Sequence, residues 1–544
     1  MKNKKVIIGV AIGVVVAIIA AIAVAFVVVG NDDDDKSPKE KNKPEKNKVE
    51  VQEEQIESGP VVATYGDYEL TAGEYNYFYM SLYNQVVNIA NQYDQYYPGM
   101  GTQYFDVTVD PADQTCQEAD HPDGVVTWAD FFEYCAPERA FFVKHLYDEA
   151  MDNISAKGGF SISDEEKAEI EGKIDVTLEA YEEQAQEAEV SLDEYISSLT
   201  GEYVTAELYR KLLEMEYVAE SYLSWYQDFA IDAVKDDELE SYYIENKADI
   251  DVADIRVFGV SYASVSKDTA KSTAEDFVAR LQNGSSFYDL AIEFAPESEK
   301  SAYEDDSATL MKYQTKKSLE TIQAGLGEWV FDSSRVAGDA YIMDLPGNQA
   351  FFVIMVETPA SKNMTPTSVG VRHILIEVKK TTADAEGSKV DLPRETIELN
   401  KQNSYAKAEE VVSLWQKNGG TEQAFIDLVS KYTNDPGSVK TGGLYEDINC
   451  ETSFVPEFLE WSLEAHKSGD VDIIETTYGY HVMYYVGGDT TPKWESDVRA
   501  ALGALAFEEY VTNLSEDIRG ELERDEDAIA ELREKAEEIT NGYS

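Results

Sequence analysis

The sequence predicts an α+β protein in which a mainly helical body carries two tandem units with antiparallel sheets. Three observations predict it. From Ala63 to about Glu245 apolar residues recur at three- and four-residue spacing between acidic ones, two later segments repeat one another strand for strand, and after Pro492 the helical period returns. With 544 residues the chain has room for about three or four domains of roughly 100–200 residues each. Its 43% apolar and 11% aromatic content can fill their cores.

Met1 to Lys5 is basic, and Val6 to Val29 contains no polar side chain. As a helix this run spans the ~30 Å hydrocarbon core, and it exceeds the roughly 7–15 residues of a signal-peptide core. Residues 1–30 are therefore expected to be a transmembrane anchor, with cleavage after Ala23-Val24-Ala25 left open. Lys2, Lys4 and Lys5 lie on one side and Asp32 to Asp35 on the other, which keeps the N-terminus cytoplasmic and the rest of the chain outside. Residues 31–60, with six Lys, ten acidic side chains and three Pro, read as a charged tether.

The helical domain is expected over 61–250, completed by 493–544. Its helices fall at Thr71–Gln92, Trp128–Ala156, Asp164–Gln186, Ser191–Thr200 and Thr205–Ala233, with a long loop at Tyr93–Gly124. Ser191 and Glu194 form a capping-box pattern. Tyr75, Tyr77, Phe78, Tyr79 and Tyr83 cannot all share one core stripe; plain core packing is the reading preferred for them, and a groove-facing role for some stays open.

The internal repeat sets the next boundaries, 251–359 and 366–488. Ile255–Val260 matches Val371–Ile376, Ala274–Phe277 matches Ala408–Val411, Phe287–Ala291 matches Phe425–Val429, and Phe351–Val356 matches His481–Val486. The offset grows from 116 at the first strand to 134 at the helix, so the second copy holds 18 extra residues in the loop Glu377–Tyr405. Residues 489–544 continue as one acidic helix from Trp494 to about Ile539, whose Leu502, Leu505, Phe507, Tyr510, Val511, Leu514 and Ile518 should pack on the N-terminal helices.

The net charge is −61, of which residues 61–544 keep −60 because residues 1–30 carry +3 and residues 31–60 carry −4. A field of that sign excludes nucleic acid as a partner. It should keep the exported body soluble and attract basic unfolded chains, with binding that weakens in salt. Cys116, Cys135 and Cys450 show no metal spacing; a Cys116–Cys135 disulfide and two buried thiols both stay open. The chain has five His. His121, His145 and His466 join no ligand cluster, so no metal and no cofactor are expected.

The second repeat resembles the parvulin family of peptidyl-prolyl isomerases. The likeness rests on Val371-Arg372-His373-Ile374-Leu375, Tyr432-Thr433-Asn434-Asp435-Pro436-Gly437-Ser438, Gly442-Gly443-Leu444, Phe454-Val455-Pro456-Glu457-Phe458, Gly469-Asp470-Val471 and Thr476-Thr477-Tyr478-Gly479-Tyr480-His481, in that order. Val62–Gly66 with Leu70–Glu74, and Asp237–Tyr243, resemble the flanking parts of the membrane-anchored foldase and periplasmic chaperone branch.

The resemblance implies an isomerase site. His373 and His481 would meet across the sheet, Thr476 would join their network, and Asp435 would face the substrate carbonyl, although Asp435 before Pro436-Gly437 also suits a simple turn. Leu444, Phe454 and Phe458 would line a proline pocket, with Tyr478 at a position usually small and polar and Val455 at one usually polar. In the first repeat Val257 aligns with His373 and Phe351 with His481, which makes that unit a degenerate copy for binding or spacing. The loop Glu377–Tyr405 mixes Lys379, Lys380, Lys389, Arg394 and Lys401 with Asp384, Glu386, Asp391, Glu395 and Glu398, so unphosphorylated substrates are expected. The implied partners are unfolded or newly exported polypeptides, the membrane through the N-terminal helix, and no nucleic acid. A homodimer, and a chaperone that uses the fold for binding alone, stay open.

Overall fold

The computed structural model describes residues 57–118, 124–153, 159–303, 306–383 and 389–541. The predicted anchor and all but the end of the tether lie outside the described residues, as do His121, Asp384 and Glu386. Among the described residues no helix is long and apolar enough to cross a membrane. The chain divides into two compact units, one made of the residues up to Ala233 with those from Leu502 on, the other of Val234–Ala501.

The first unit opens with the hairpin β1 (Val61–Tyr65) and β2 (Tyr68–Thr71), which runs straight into helix α1 (Ala72–Tyr96). Thr71 caps α1 by accepting from the Glu74 amide while the Glu74 carboxylate takes the Thr71 amide. Helices α2 (Met100–Tyr104), α3 (Trp128–Asn153), α4 (Asp164–Glu187), α5 (Leu192–Thr200) and α6 (Ala206–Asp232) follow, α4 to α6 capped by Ser163, Ser191 and Thr205. The caps explain why the predicted helix starts lie within a residue or so of the observed ones. The predicted 93–124 loop is partly structured, and its Phe105 packs edge-on against Trp128. Cys116 and Cys135 are buried free thiols.

The aromatic run is core, and the groove reading falls. Tyr75, Tyr77, Phe78, Tyr79 and Tyr83 are all buried, because α1 is packed on several sides by α2, α3, α5 and α6 and by the C-terminal helix. Tyr77 donates its hydroxyl to Glu216 (2.6 Å), and Glu216 pairs with Arg139 (3.0 Å). Tyr77, Glu216 and Arg139 thus satisfy one another inside the core, whereas the buried hydroxyls of Tyr75 and Tyr79 have no hydrogen-bond partner.

The second unit starts with α7 (Asp236–Ile250), which the sequence placed in the helical domain. It packs here because Tyr243 meets Trp494 edge to face (5.5 Å), donates to Asp251 (2.7 Å), and shares with Trp494 the ammonium of Lys362 over both rings. The first repeat then runs β3 (Val252–Ser261), α8 (Lys267–Gln282), α9 (Phe287–Phe294), β4 (Leu310–Thr315), α10 (Lys316–Ile322), α11 (Leu326–Val330), β5 (Ala340–Leu345) and β6 (Ala350–Ser361). The second runs β7 (Pro366–Glu377), the small hairpin β8 (Thr381–Ala383) and β9 (Lys389–Asp391), α12 (Arg394–Lys417), α13 (Glu422–Tyr432), β10 (Leu444–Ile448), α14 (Pro456–Leu463), β11 (Val471–Thr476) and β12 (Gly479–Pro492). The sheet orders are β4-β3-β6-β5 and β10-β7-β12-β11, all antiparallel. The two repeats share one wiring, and the extra residues of the second form β8, β9 and the start of a longer helix.

The ladders correct the alignment by one residue. Leu375 pairs with His481 in the second sheet, and the matching Gly259 pairs with Phe352 in the first. Phe352, not Phe351, is the counterpart of His481. Phe351 packs with Phe258 and Phe277 on the helix-covered face, since a one-residue slip in a strand turns a side chain to the other side.

The C-terminal helix is broken. Helix α15 (Lys493–Glu521) and helix α16 (Glu526–Asn541) are separated by β13 (Glu523–Arg524), which pairs with β1. Asp525 makes the break by donating its amide to Val62 (2.8 Å) and capping α16 with its carboxylate. Val511, Leu514 and Ile518 enter the core of the first unit as expected, while Leu505 is exposed.

Candidate functional site

The central strands β7 and β12 place His373 opposite Met483 and His481 opposite Leu375. Alternation along a strand puts both histidines on the sheet face away from α12 and α13, one step apart on the diagonal. Their rings stack at 5.2 Å with Nδ1 to Nδ1 at 3.0 Å. Thr476 ends β11, and the turn Thr477-Tyr478 returns the chain to Gly479, so the Thr476 hydroxyl lies 3.0 Å from His481 Nε2. Gly479 makes the turn fit: its φ is +143°, and a Cβ there would meet the Ile376 carbonyl oxygen at 2.3 Å.

Asp435 opens the turn that follows α13. Its Oδ1 accepts the Gly437 amide (3.1 Å), and its Oδ2 accepts the Ser438 amide (3.2 Å), the Ser438 hydroxyl (2.5 Å) and the Tyr445 hydroxyl (3.1 Å), with His373 Nε2 at 2.9 Å. These donors hold its carboxyl well below the usual range, at about 2, with the Ser438 hydroxyl the main one, against the upward pull of burial. The resemblance placed this carboxylate toward the substrate carbonyl; within the protein its partners are the turn that it opens, Tyr445 and His373. It sits beneath His373.

That charge orders the protons. An ionised Asp435 only accepts, so His373 Nε2 carries a hydrogen and Nδ1 is left to accept. His481 Nδ1–H then donates to His373 Nδ1, and the Thr476 hydroxyl donates to His481 Nε2. Burial keeps both imidazoles neutral: it lowers His373 despite Asp435 beside it, and it lowers His481, aided by His373, to about 3.

Over this chain lies an aromatic cup. Pro456 starts α14 and sets Phe458 in its first turn, edge-on to His373 (5.3 Å) and His481 (5.4 Å), with Phe454 4.9 Å from Phe458. Tyr445 closes the cup, 5.3 Å from His373 and 5.1 Å from Phe454.

Of the sequence-predicted site residues, the fold brings together His373, Asp435, Thr476, His481, Phe454 and Phe458. It does not bring Leu444. That residue pairs with Arg372 and shares its face, the opposite side of the sheet, whereas Tyr445 pairs with Val371 on the histidine side. Tyr478 is 61% exposed in the turn beside Thr476. Ser438, 1% exposed, and Tyr445 are the site residues the sequence reading missed; the signals were Ser438 closing the Asp-Pro-Gly-Ser turn and period-two counting along β10. His466 stacks on Trp461 (4.2 Å) outside the chain of four. Among the described residues no group of three or more His, Cys, Asp or Glu is placed to hold a metal ion.

Residues 355–486 match the family model of the PPIC-type PPIASE domain, a stretch from within β6 into β12. The chain is 28% identical over 165 residues to Chaperone SurA of Pseudomonas putida, covering 29% of this chain and 33% of that protein. It thus spans about a third of the length of this curated relative. The crystal structure of PrsA from Bacillus subtilis is similar at 16% identity, over 57% of this chain and 95% of that one, with a TM-score of 0.16, at which the two do not superpose as whole bodies.

Proposed function

We propose, for a chain whose residues 355–486 form a parvulin-type peptidyl-prolyl isomerase domain, that the second repeat catalyses cis–trans exchange of X–Pro bonds in unfolded polypeptides. In this reading the chain is an extracytoplasmic foldase, anchored by Val6–Val29, that holds its clients with the helical unit. The observation that carries it is the ordered chain Asp435–His373–His481–Thr476 under the cup of Phe454, Phe458 and Tyr445.

An X–Pro bond exchanges unaided over tens to hundreds of seconds, because amide resonance keeps it planar. The cup would take the proline ring and strip the water that favours the planar, more polar amide. The neutral histidine pair, fixed by Asp435 at one end and Thr476 at the other, presents a wall of set dipoles that need not reorganise as the amide twists. Asp435, Ser438 and Tyr445 act as positioning groups, and no nucleophile or metal takes part.

The test is a protease-coupled prolyl-peptide assay on the full-length chain. Exchange faster than the uncatalysed rate is expected, and Asp435→Asn, which frees His373 from its tautomer, should lower kcat/KM by about 10- to 100-fold. No rate above background would leave the other reading, a chaperone that uses the fold to hold chains. A salt titration of client binding tests the role of the acidic surface.

A further inference from the structure

Both repeats bend their edge strand with the same bulge. In β10 the register slips between Tyr445 and Ile448, and Asp447 takes a left-handed backbone with φ 55°. In β4 the slip falls at the corresponding step of the ladder, between Ala253 and Ile255 of β3, and Tyr313 takes φ 54°. Asp adopts this conformation at modest cost; a bulky aromatic is a rare occupant. The Tyr313 amide donates to Asp254 Oδ1 (2.8 Å), which holds the strained corner in place. Local preference does not explain a tyrosine there, and the side chain joins neither apolar cluster of its own repeat.

The side chain goes to the neighbouring repeat. Tyr313 packs on the apolar cluster of the second sheet that contains Ile448, Cys450, Phe458 and Trp461, and Lys312 beside it pairs with Glu460 (2.5 Å). Phe458, Trp461 and Glu460 all belong to α14, the helix that sets Phe458 against both histidine rings. Strain at one corner is thus stored where a contact to the other repeat is made. We infer that Lys312 and Tyr313 of the first repeat position α14 of the second, so that the proline cup reaches its binding shape only with its degenerate neighbour in place. This rests on the isomerase reading above for its consequence, and on geometry alone for the contact. Tyr313 is a positioning residue acting through Phe458.

The experiment uses the full-length chain and compares Tyr313→Ala, Tyr313→Phe and Glu460→Gln. Tyr313→Ala should raise KM for a prolyl peptide by about fivefold with kcat within about twofold, since it loosens binding and leaves the histidine chain intact. Glu460→Gln should move KM in the same direction, less, and Tyr313→Phe should restore the parent value. Ring nitrogen resonances of ¹⁵N-histidine give a readout that needs no catalysis. With five His in the chain they can be assigned one by one, and His466, stacked on Trp461 and bonded to its carbonyl (2.8 Å), reports the end of α14. Tyr313→Ala should shift His466 and leave the His373 and His481 tautomers unchanged. An unshifted His466 with unchanged KM overturns the inference, and so does loss of the His373 and His481 signals, which would mean that the repeat merely unfolds. If the parent chain proves inactive, the isomerase reading falls, while a shifted or unshifted His466 still decides the coupling.

Discussion

The two repeats fold the same sheet over different central pairs. In the second, His373 and His481 sit on the middle strands; at the same steps the first has Val257 and Phe352, packed on a cluster of Ile255, Leu319, Leu326 and Met343. What both keep is the arginine one residue before, Arg256 or Arg372, which ties the sheet to the loop entering the edge strand. Arg256 bonds Asp306 and Thr309, and Arg372 bonds Glu422 and the carbonyls of Thr441 and Gly442. The arginine and its tie are thus common to both repeats, and the histidines belong to the second alone. The same architecture does without the buried polar chain, and satisfied polar pairs and apolar pairs of like shape contribute comparably to stability, so the proposed isomerase role rather than the fold accounts for the histidines.

Turning the second repeat into the first is the strongest way to break that comparison. His373→Val with His481→Phe should take prolyl exchange down to the uncatalysed rate while changing the stability of the repeat by no more than about 1–2 kcal/mol, since the histidine pair leaves together and Asp435 and Thr476 keep bonds to Ser438, Gly437 and the Gly479 carbonyl. Exchange rate and hydrogen-exchange protection of β7 and β12 measure the two effects. The reverse change, Val257→His with Phe352→His, should give no activity. The acidic residue three positions past α9, Glu297, is exposed and paired with Lys300 (2.8 Å), so nothing there fixes a histidine as Asp435 does. Activity in the reverse variant would show that the pair alone suffices.

Acid should separate the repeats next. The folded pKa values of His373 and His481 lie below the unfolded value of 6.5, so between these values the unfolded chain binds more protons. Their contribution is complete above pH 6.5 and is lost as pH falls toward about 3 for His481, at up to about 1.4 kcal/mol per pH unit per histidine. Asp435 adds a loss of the same sign between pH 3.8 and about 2. Hydrogen-exchange protection of β7 and β12 should thus decline from pH 6.5 downward, before that of β3 and β6, and the Val/Phe double variant should remove the difference. Equal decline in both sheets would mean that the buried histidines are protonated at little cost.

Much of this was legible in the sequence. The repeat was visible because strands and helices recur in order, and the two histidines because they fall on its first and last strands. The face of a strand residue was not, since a ladder slips by one without changing composition. Phe351 and Leu444 were each assigned one residue from the position that matters, Phe352 and Tyr445. Ser438 was hidden inside a turn whose backbone role already accounted for it. The break at Leu522 was unreadable because the pairing of Arg524 with Ala63 joins residues from opposite ends of the chain.

The smallest effect decides which face of β10 belongs to the site. Tyr445→Phe keeps the ring beside His373 and Phe454 and removes one donor from Asp435, which retains those of His373, Ser438 and Gly437. The loss of one such bond is worth about 0.5–1.5 kcal/mol, so kcat/KM should fall by only about two- to tenfold. The carboxyl should also become easier to protonate, rising from about 2, because one interaction favouring its charged form is gone. Leu444→Ala, on the Arg372 side of the sheet, should leave KM unchanged. If Leu444→Ala weakens substrate and Tyr445→Phe does nothing, the cup is built on the other face of β10.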